Sequence, residues 1–426
     1  MHRLRRGLTA LAVIAASLLA VLQATPAHAD YIRDMEYWLS DYNFYPAWDV
    51  TQGDGVLVSV IDSGIGYAPD INAAVVGGAD FSGIGSPDGR TPVGASPEHG
   101  TLVASVLAGR GTGGGAGVLG TAPAALLLSA SVALGVETEI SSDEQIANAI
   151  RWSVDQGAKV INMSLTRNSL EWPRGWDEAF MYAFEHDVVI VAAAGNRGTG
   201  TTEVGAPATI PGVLTVAGLD ANGEASYDAS SQGITIGVSA PGEDLVGVAP
   251  GGSYMKWSGS SGAAPIVSGL VALVRASHPE LDANNVINRI ITTATPVDAV
   301  PSPIYGYGKI DAYAAVTADV PSVKANPLGD LAEWIRLYRR GSSTGTPEPF
   351  DISTATPAPL PFDSGNIAGL PTWYQVTSVG VPLLFFAGFG TIVVIGYIAV
   401  TRRIRSVSVP PSTSLETDDT TPPPNA

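Results

Sequence analysis

Asp62, His99, Asn196 and Ser261 are the residues whose types and surroundings suit nucleophilic chemistry. A serine hydroxyl is a weak nucleophile at neutral pH. It needs a base within hydrogen-bond reach, and that base needs a third group to hold its tautomer. The base emerges by elimination among five histidines. His2 and His28 lie in a segment expected to be removed. His186, in Glu185-His186-Asp187, reads as a surface residue near a helix C-terminus. His278, before Pro279, reads as a cap or surface residue, which leaves His99. Asp62 lies in Val58-Ser59-Val60-Ile61-Asp62-Ser63-Gly64. Ser261 lies in Gly259-Ser260-Ser261-Gly262-Ala263-Ala264-Pro265, where small residues let a substrate backbone approach. The helix expected next aims its first N–H groups at the site. Asn196, in Ala194-Gly195-Asn196, can donate its amide to an oxyanion together with the Ser261 N–H. Each has a plainer reading: a turn aspartate, a helix N-cap serine, an asparagine in a tight turn. Ser260 is a competing hydroxyl. The four together point to acyl transfer.

Positioning such groups takes a rigid scaffold. Val56–Ile61, Leu126–Val132, Val160–Met163 and Val188–Ala193 are short apolar runs that read as buried strands. Thr101–Ala108, Asp143–Gln156 and Trp176–His186 carry apolar residues at helical period. Continuous apolar strands alternating with helices imply an α/β fold, a doubly wound and mostly parallel sheet with helices on both faces. Groups that do chemistry in such folds sit at the carboxyl ends of strands, where Asp62 and Asn196 both fall. His99 opens a helix that begins Gly100-Thr101.

Several other features bound the reading. The formal charge is −18, which argues against a nucleic-acid partner, since phosphate binding needs clustered Lys and Arg. There is no cysteine, hence no disulfide, thiolate metal site or cysteine nucleophile. No dense carboxylate loop calls for calcium, so no metal and no cofactor are expected. Gly109–Gly120 is glycine-rich but follows a helix and lacks a Lys-Ser/Thr ending, so it reads as a flexible surface loop and not a phosphate cradle. Glu137, Glu139, Asp143 and Glu144 read as an acidic helix start, with attraction of basic substrate residues as the alternative.

The two ends suggest a location. Arg3, Arg5 and Arg6, the apolar run Leu8–Leu22 and Ala27-His28-Ala29 make a secretory signal peptide over residues 1–29. Val379–Val400 is 22 residues without a charge, about 33 Å as a helix and enough to cross a bilayer. Trp373 and Tyr374 lie where an interfacial belt would be, and Arg402, Arg403 and Arg405 put the C-terminus in the cytoplasm. The expected layout is a signal peptide (1–29), an extracytoplasmic domain (30–320), a Pro/Ser/Thr-rich linker (321–378) that includes a short helix over Leu331–Arg340, one transmembrane helix (379–400) and a cytoplasmic tail (401–426).

With the order Asp, His, Asn, Ser, these segments resemble the subtilisin family of serine proteases over about Met35 to Val320. Narrower stretches are similar to mycosins, the membrane-anchored subtilases of type VII secretion. These are Trp152-Ser153-Val154-Asp155-Gln156-Gly157-Ala158-Lys159-Val160-Ile161-Asn162, Asp187–Asn196 and Tyr305-Gly306-Tyr307-Gly308-Lys309-Ile310-Asp311. The resemblance implies a serine endopeptidase acting on protein or peptide substrates, with Ser261 as nucleophile, His99 as base, Asp62 orienting it and Asn196 at the oxyanion. It also implies substrate contact at Ser164, Leu165, Thr166 and Gly195, and association with a type VII secretion membrane complex. Two alternatives stay open: a general cell-surface subtilase, and a structural stabiliser of a secretion complex whose proteolysis is dispensable. Only some 25 residues separate Asp30 from the first core strand. That leaves no room for the folding prodomain of secreted subtilisins, and mycosins are expected to lack one. Departures from the family pattern are Glu98 before the histidine, Leu102 for a second histidine, Ser260 and Gly262 for Thr and Met beside the nucleophile, and Thr166 for a glycine.

Overall fold

β-Branched and leucine-rich runs that are apolar on both faces are buried between two layers, and that is where this chain places them. The computed structural model describes residues 31–297 and 299–339, with two short strand segments beyond them. The expected signal peptide, transmembrane helix and tail lie outside the described residues, as does most of the linker.

Helices α1 (Tyr31–Asp34), α2 (Tyr37–Asp41) and α3 (Phe44–Trp48) lead into strands β1 (Leu57–Asp62) and β2 (Val75–Asp80). Then come α4 (His99–Ala108), β3 (Leu126–Ser131), α5 (Ser142–Asp155), β4 (Val160–Met163), β5 (Thr166–Arg167), α6 (Arg174–Glu185) and β6 (Val189–Ala193). Strands β7 (Leu214–Leu219), β8 (Ile236–Pro241), β9 (Leu245–Val248) and β10 (Tyr254–Trp257) precede α7 (Ser260–Ser277), α8 (Ala283–Thr293), α9 (Ala312–Thr317) and α10 (Leu331–Tyr338). The two late segments are β11 (Phe350–Asp351) and β12 (Ala358–Pro359).

Seven strands form one sheet in the order β2-β3-β1-β4-β6-β7-β8, and every pairing in it is parallel. From β1 the chain goes to the edge strand β2 and returns to fill β3 between them, then crosses to β4 and builds outward on the other side. The sheet is therefore doubly wound, with its switch point between β1 and β4. Alternation within strands assigns the two faces. Val58 and Val60 of β1 and Val189 and Val191 of β6 join a core with α4 and α7. Ile61 and Ile190 point the other way, against Ile150 of α5 and Trp176 and Phe180 of α6. Each such side chain contributes about 1.5–3 kcal/mol by leaving water. Polar residues facing a core are paired: Ser59 of β1 meets Ser153 of α5, Oγ to Oγ, at 2.7 Å.

The N-terminal helices were not legible in the sequence, yet they belong to the core. Trp38 and Phe44 are fully buried. Tyr37 donates to the Glu243 carbonyl at 2.8 Å and Asn43 to Asp311 at 3.1 Å. The start of the expected linker also packs on the domain. Asp330 caps α10 by accepting from the Glu333 N–H at 3.0 Å, and the Trp334 ring lies 4.4 Å from that of Trp172. The glycine-rich stretch after α4 folds back on itself, with Gly111 N–H donating to the Val118 carbonyl at 2.9 Å and Thr112 N–H to that of Ala116 at 2.8 Å.

Candidate active site

Asp62 is the last residue of β1 and His99 the first of α4. Both are buried, and His99 Nδ1 lies 2.8 and 3.0 Å from the two Asp62 carboxylate oxygens. A carboxylate can only accept, so Nδ1 carries the proton and Nε2 is the basic nitrogen. Ser63 fixes both partners. Its N–H donates to Asp62 Oδ1 at 2.7 Å, and its hydroxyl accepts from the Gly100 N–H at 2.8 Å, capping α4 from another segment. That cap explains how a helix starts on His-Gly, two residues earlier than helical periodicity alone suggests. His99 Nε2 is buried with no hydrogen-bond partner among the described residues. Burial by itself would lower the His99 pKa. The charge and hydrogen bond of Asp62, with the charge of Glu98, outweigh it and hold the imidazole above its ordinary value.

Ser260 and Ser261 open α7 after Gly259. The structure separates the two hydroxyls. Ser260 Oγ accepts from the Gly195 N–H at 3.0 Å and lies 2.8 Å from Asn196 Oδ1, which also accepts from the Ser260 N–H at 2.8 Å. Ser260 therefore orients Asn196, and the serine does this in place of the family's threonine. With Oδ1 committed, Nδ2 faces Gly259, where an added Cβ would stand 2.7 Å from it. Gly259 has φ +148°, so both its conformation and its surroundings require glycine. Ser261 Oγ donates to the Ser164 carbonyl at 3.2 Å. The Asp62–His99 bond is thus made while the Ser261 hydroxyl is turned to Ser164. Trp257 joins the two halves: its ring stands edge-on to His99 with centroids 5.8 Å apart and packs beside Gly262. A Cβ at Gly262 would lie 2.3 Å from Leu245 and 3.4 Å from Trp257, which accounts for glycine where the family has methionine.

Ser164, two residues before the start of β5, makes a reciprocal bond by donating its hydroxyl to the Ser261 carbonyl at 2.8 Å. That carbonyl is the one Pro265, four residues on, cannot serve, because proline has no N–H. Ser164 in turn accepts from Asn162 Nδ2 at 3.0 Å, and Asn162 Oδ1 accepts from Ser268 of α7 at 2.8 Å. The sequence reading missed Asn162 and Ser268. The only signal was a polar residue inside the apolar run of β4.

The remaining candidates fall as follows. Leu165 and Thr166 are buried, and the Thr166 hydroxyl donates to the Arg167 carbonyl at 3.2 Å. Gly195 lies in the turn after β6 and gives its carbonyl to the Ser231 N–H at 2.7 Å. A cavity of about 450 Å3 adjoins Asn196, lined also by Gly198, Thr199, Asp228, Glu243 and Ser258. Among the acidic residues, Asp143 and Glu144 occupy the first turn of α5, capped by Ser141. Asp143 is paired with Arg167, and burial raises its pKa against that partner's pull. His186 caps α6 with Nδ1 donating to the Tyr182 carbonyl at 2.8 Å, and His278 donates from Nε2 to that of Val316 at 2.9 Å. Both are apart from the Asp62–His99 pair.

Comparison with known proteins gives the family of the chain. Residues 53–308 match the model of the subtilase family. The chain is 35% identical over 351 residues to mycosin-3 of Mycobacterium tuberculosis (strain ATCC 25618 / H37Rv), covering 68% of this chain and 73% of that protein. It is 36% identical to a subtilisin of Bacillus pumilus over 62% of this chain and 91% of that one. Among solved structures, the MycP3 protease from the type VII (ESX-3) secretion system superposes with a TM-score of 0.58 at 33% identity, covering 66% of this chain and 88% of that one. MycP1, solved with its N-terminal propeptide removed, gives 0.59 at 29% identity over 68% and 98%. The expectation that mycosins lack an N-terminal propeptide therefore does not hold for that relative. The chain belongs to the subtilase family of serine endopeptidases, and within it is similar to the mycosins.

Proposed function

We propose that the chain is a membrane-anchored, extracytoplasmic serine endopeptidase that uses Ser261, His99 and Asp62, and that it works with a type VII secretion complex. The observation that carries the chemistry is the buried His99, fixed by Asp62 at 2.8 Å through Nδ1 and unpartnered at Nε2 among the described residues. Ser261 Oγ leaves the Ser164 carbonyl, gives its proton to Nε2 and bonds to the scissile carbonyl carbon. Catalytic hydrogen bonds are often made only when substrate arrives. Asn196 Nδ2 and the Ser261 N–H stabilise the oxyanion. Nε2 then passes its proton to the leaving amine as the C–N bond breaks, and water hydrolyses the ester by the same route in reverse. The substrate backbone lies along Ser164-Leu165-Thr166 and past Gly195.

The signal peptide and the Val379–Val400 span support a single-pass protein of the cell membrane, with its catalytic domain outside and its C-terminus in the cytoplasm. Relatives named as mycosins, and solved neighbours named as type VII secretion proteases, support the secretion partner. The test is labelling of the full chain by a fluorophosphonate probe. Wild type and Ser260→Ala are expected to label and Ser261→Ala to stay blank. A folded wild type that takes no label sinks the mechanism.

A further inference from the structure

Strand β5 lies directly on the path between Ser164 and the rest of the domain, and its two edges differ. Arg167 turns its N–H to the Ala206 carbonyl at 2.7 Å, and its own carbonyl would lie 1.8 Å from a Cβ on Gly205. Arg167 therefore faces the 205–206 segment. Backbone groups of successive strand residues face opposite edges, so Thr166 faces the other one. That edge is occupied by the chain itself: β11 pairs antiparallel with β5, Phe350 opposite Arg167 and Asp351 opposite Thr166. Its direction is informative. Running antiparallel to β5, it heads from Arg167 toward Thr166, and hence toward Ser164, whose carbonyl receives the Ser261 hydroxyl. From Thr166 to Ser164 is about 7 Å of extended chain.

A second pairing of the linker is with the strand that precedes Ser261 in the chain. Strand β12 pairs antiparallel with β10, Ala358 opposite Lys256 and Pro359 opposite Met255. Strand β10 leads through Trp257-Ser258-Gly259 into Ser260 and Ser261. Two short pieces of one linker thus pair with the strand that follows Ser164 and with the strand that precedes Ser261.

We propose that the β11 segment, Phe350–Asp351, is a tethered peptide ligand of the cleft, which occupies the β5 edge in cis and competes there with substrates. The proposal rests on the protease reading above. Main-chain pairing to a sheet edge gives affinity with little dependence on side chains. A two-residue pairing is weak, but a tethered segment acts at a millimolar-range effective concentration, so weak pairing suffices. Such a competitor raises the apparent KM and leaves kcat alone.

The experiment uses the full chain in detergent with Asp351→Pro, since proline removes the N–H that faces Thr166 across the pairing. Ser342→Pro with Ser343→Pro, outside the paired residues, is the control. With a fluorogenic peptide selected from a library, the paired-site variant is expected to show a KM lower by about tenfold, ~1.4 kcal/mol of competition. Its kcat stays unchanged, and the control behaves as wild type. A synthetic peptide of residues 346–356 added to that variant restores the higher KM. In a Ser261→Ala background, where turnover cannot intervene, amide exchange across residues 163–168 quickens in the paired-site variant. Equal KM and equal exchange in all three chains overturn the proposal. If no chain hydrolyses peptide or takes the fluorophosphonate label, the protease reading fails, and this proposal falls with it.

Discussion

Glu98 stands one residue before His99 where subtilases commonly carry a small side chain, and its charge adds to that of Asp62 in raising the imidazole pKa. The base must be neutral to accept the Ser261 proton, so activity is lost as pH falls through the His99 pKa. With that pKa above the ordinary imidazole value of about 6.5, the acid limb of kcat/KM is expected above that pH. Glu98→Gln removes one raising charge, so its limb moves to lower pH while the plateau holds. A pH–rate profile of the two chains decides it, and coincident limbs would refute the role of Glu98. At this scale much of the site could be read from sequence. Asp62, His99, Asn196 and Ser261 each sit in a local signature. Asn162 and Ser268 could not be read, because their bond joins residues 106 positions apart and exists only once β4 and α7 are packed.

At the scale of elements, α7 shows how a helix is kept whole around a proline. The helix is buried from Ser260 through Arg275 with Pro265 inside it, and Ser164 supplies the donor that the proline lacks. Ser164→Ala leaves the buried Ser261 carbonyl short of a partner, which costs about 1–3 kcal/mol. Adding Pro265→Ala gives position 265 an N–H of its own and is expected to recover part of that loss. Urea unfolding of both chains in a Ser261→Ala background measures it, and a double variant no more stable than the single one counts against this pairing. Element legibility followed composition. Apolar β4 was read to the residue, and β1, β3 and β6 to within one at each end. The two edge strands, β2 with Val-Val-Gly-Gly-Ala-Asp and β8 with Ile-Gly-Val-Ser-Ala-Pro, escaped, because glycine, serine and proline carry no strand signal while pairing with β3 and β7 still enforces one.

Across the whole molecule, the chemistry is insulated from the surface. The turn at Gly113–Gly115 lies past the C-terminal end of α4, and a Cβ on any of its three glycines would meet nothing within 4 Å. His99 is at the other end of that helix, about 15 Å away along its axis. Inserting Gly-Ser between Gly114 and Gly115 is expected to leave kcat/KM and the melting temperature nearly unchanged, since even doubling a loop's length costs only about 0.6 kcal/mol. A severalfold drop in kcat/KM would show that the turn is coupled to the site.

Asp62 ends β1, and Ser164 and Asn196 lie just beyond β4 and β6; these strands are neighbours in the sheet. Adjacent strands lie about 4.8 Å apart. The gauge of the site is therefore set chiefly by whole steps of backbone pairing, with Asn196 held in the short turn after β6 by Ser260. Such a gauge cannot drift by fractions: a descendant of this chain either keeps all three positions in register or loses the strand that carries one of them. Loops around the rim are then free to be rewritten for new peptides, while the distance from carboxylate to amide passes on unaltered.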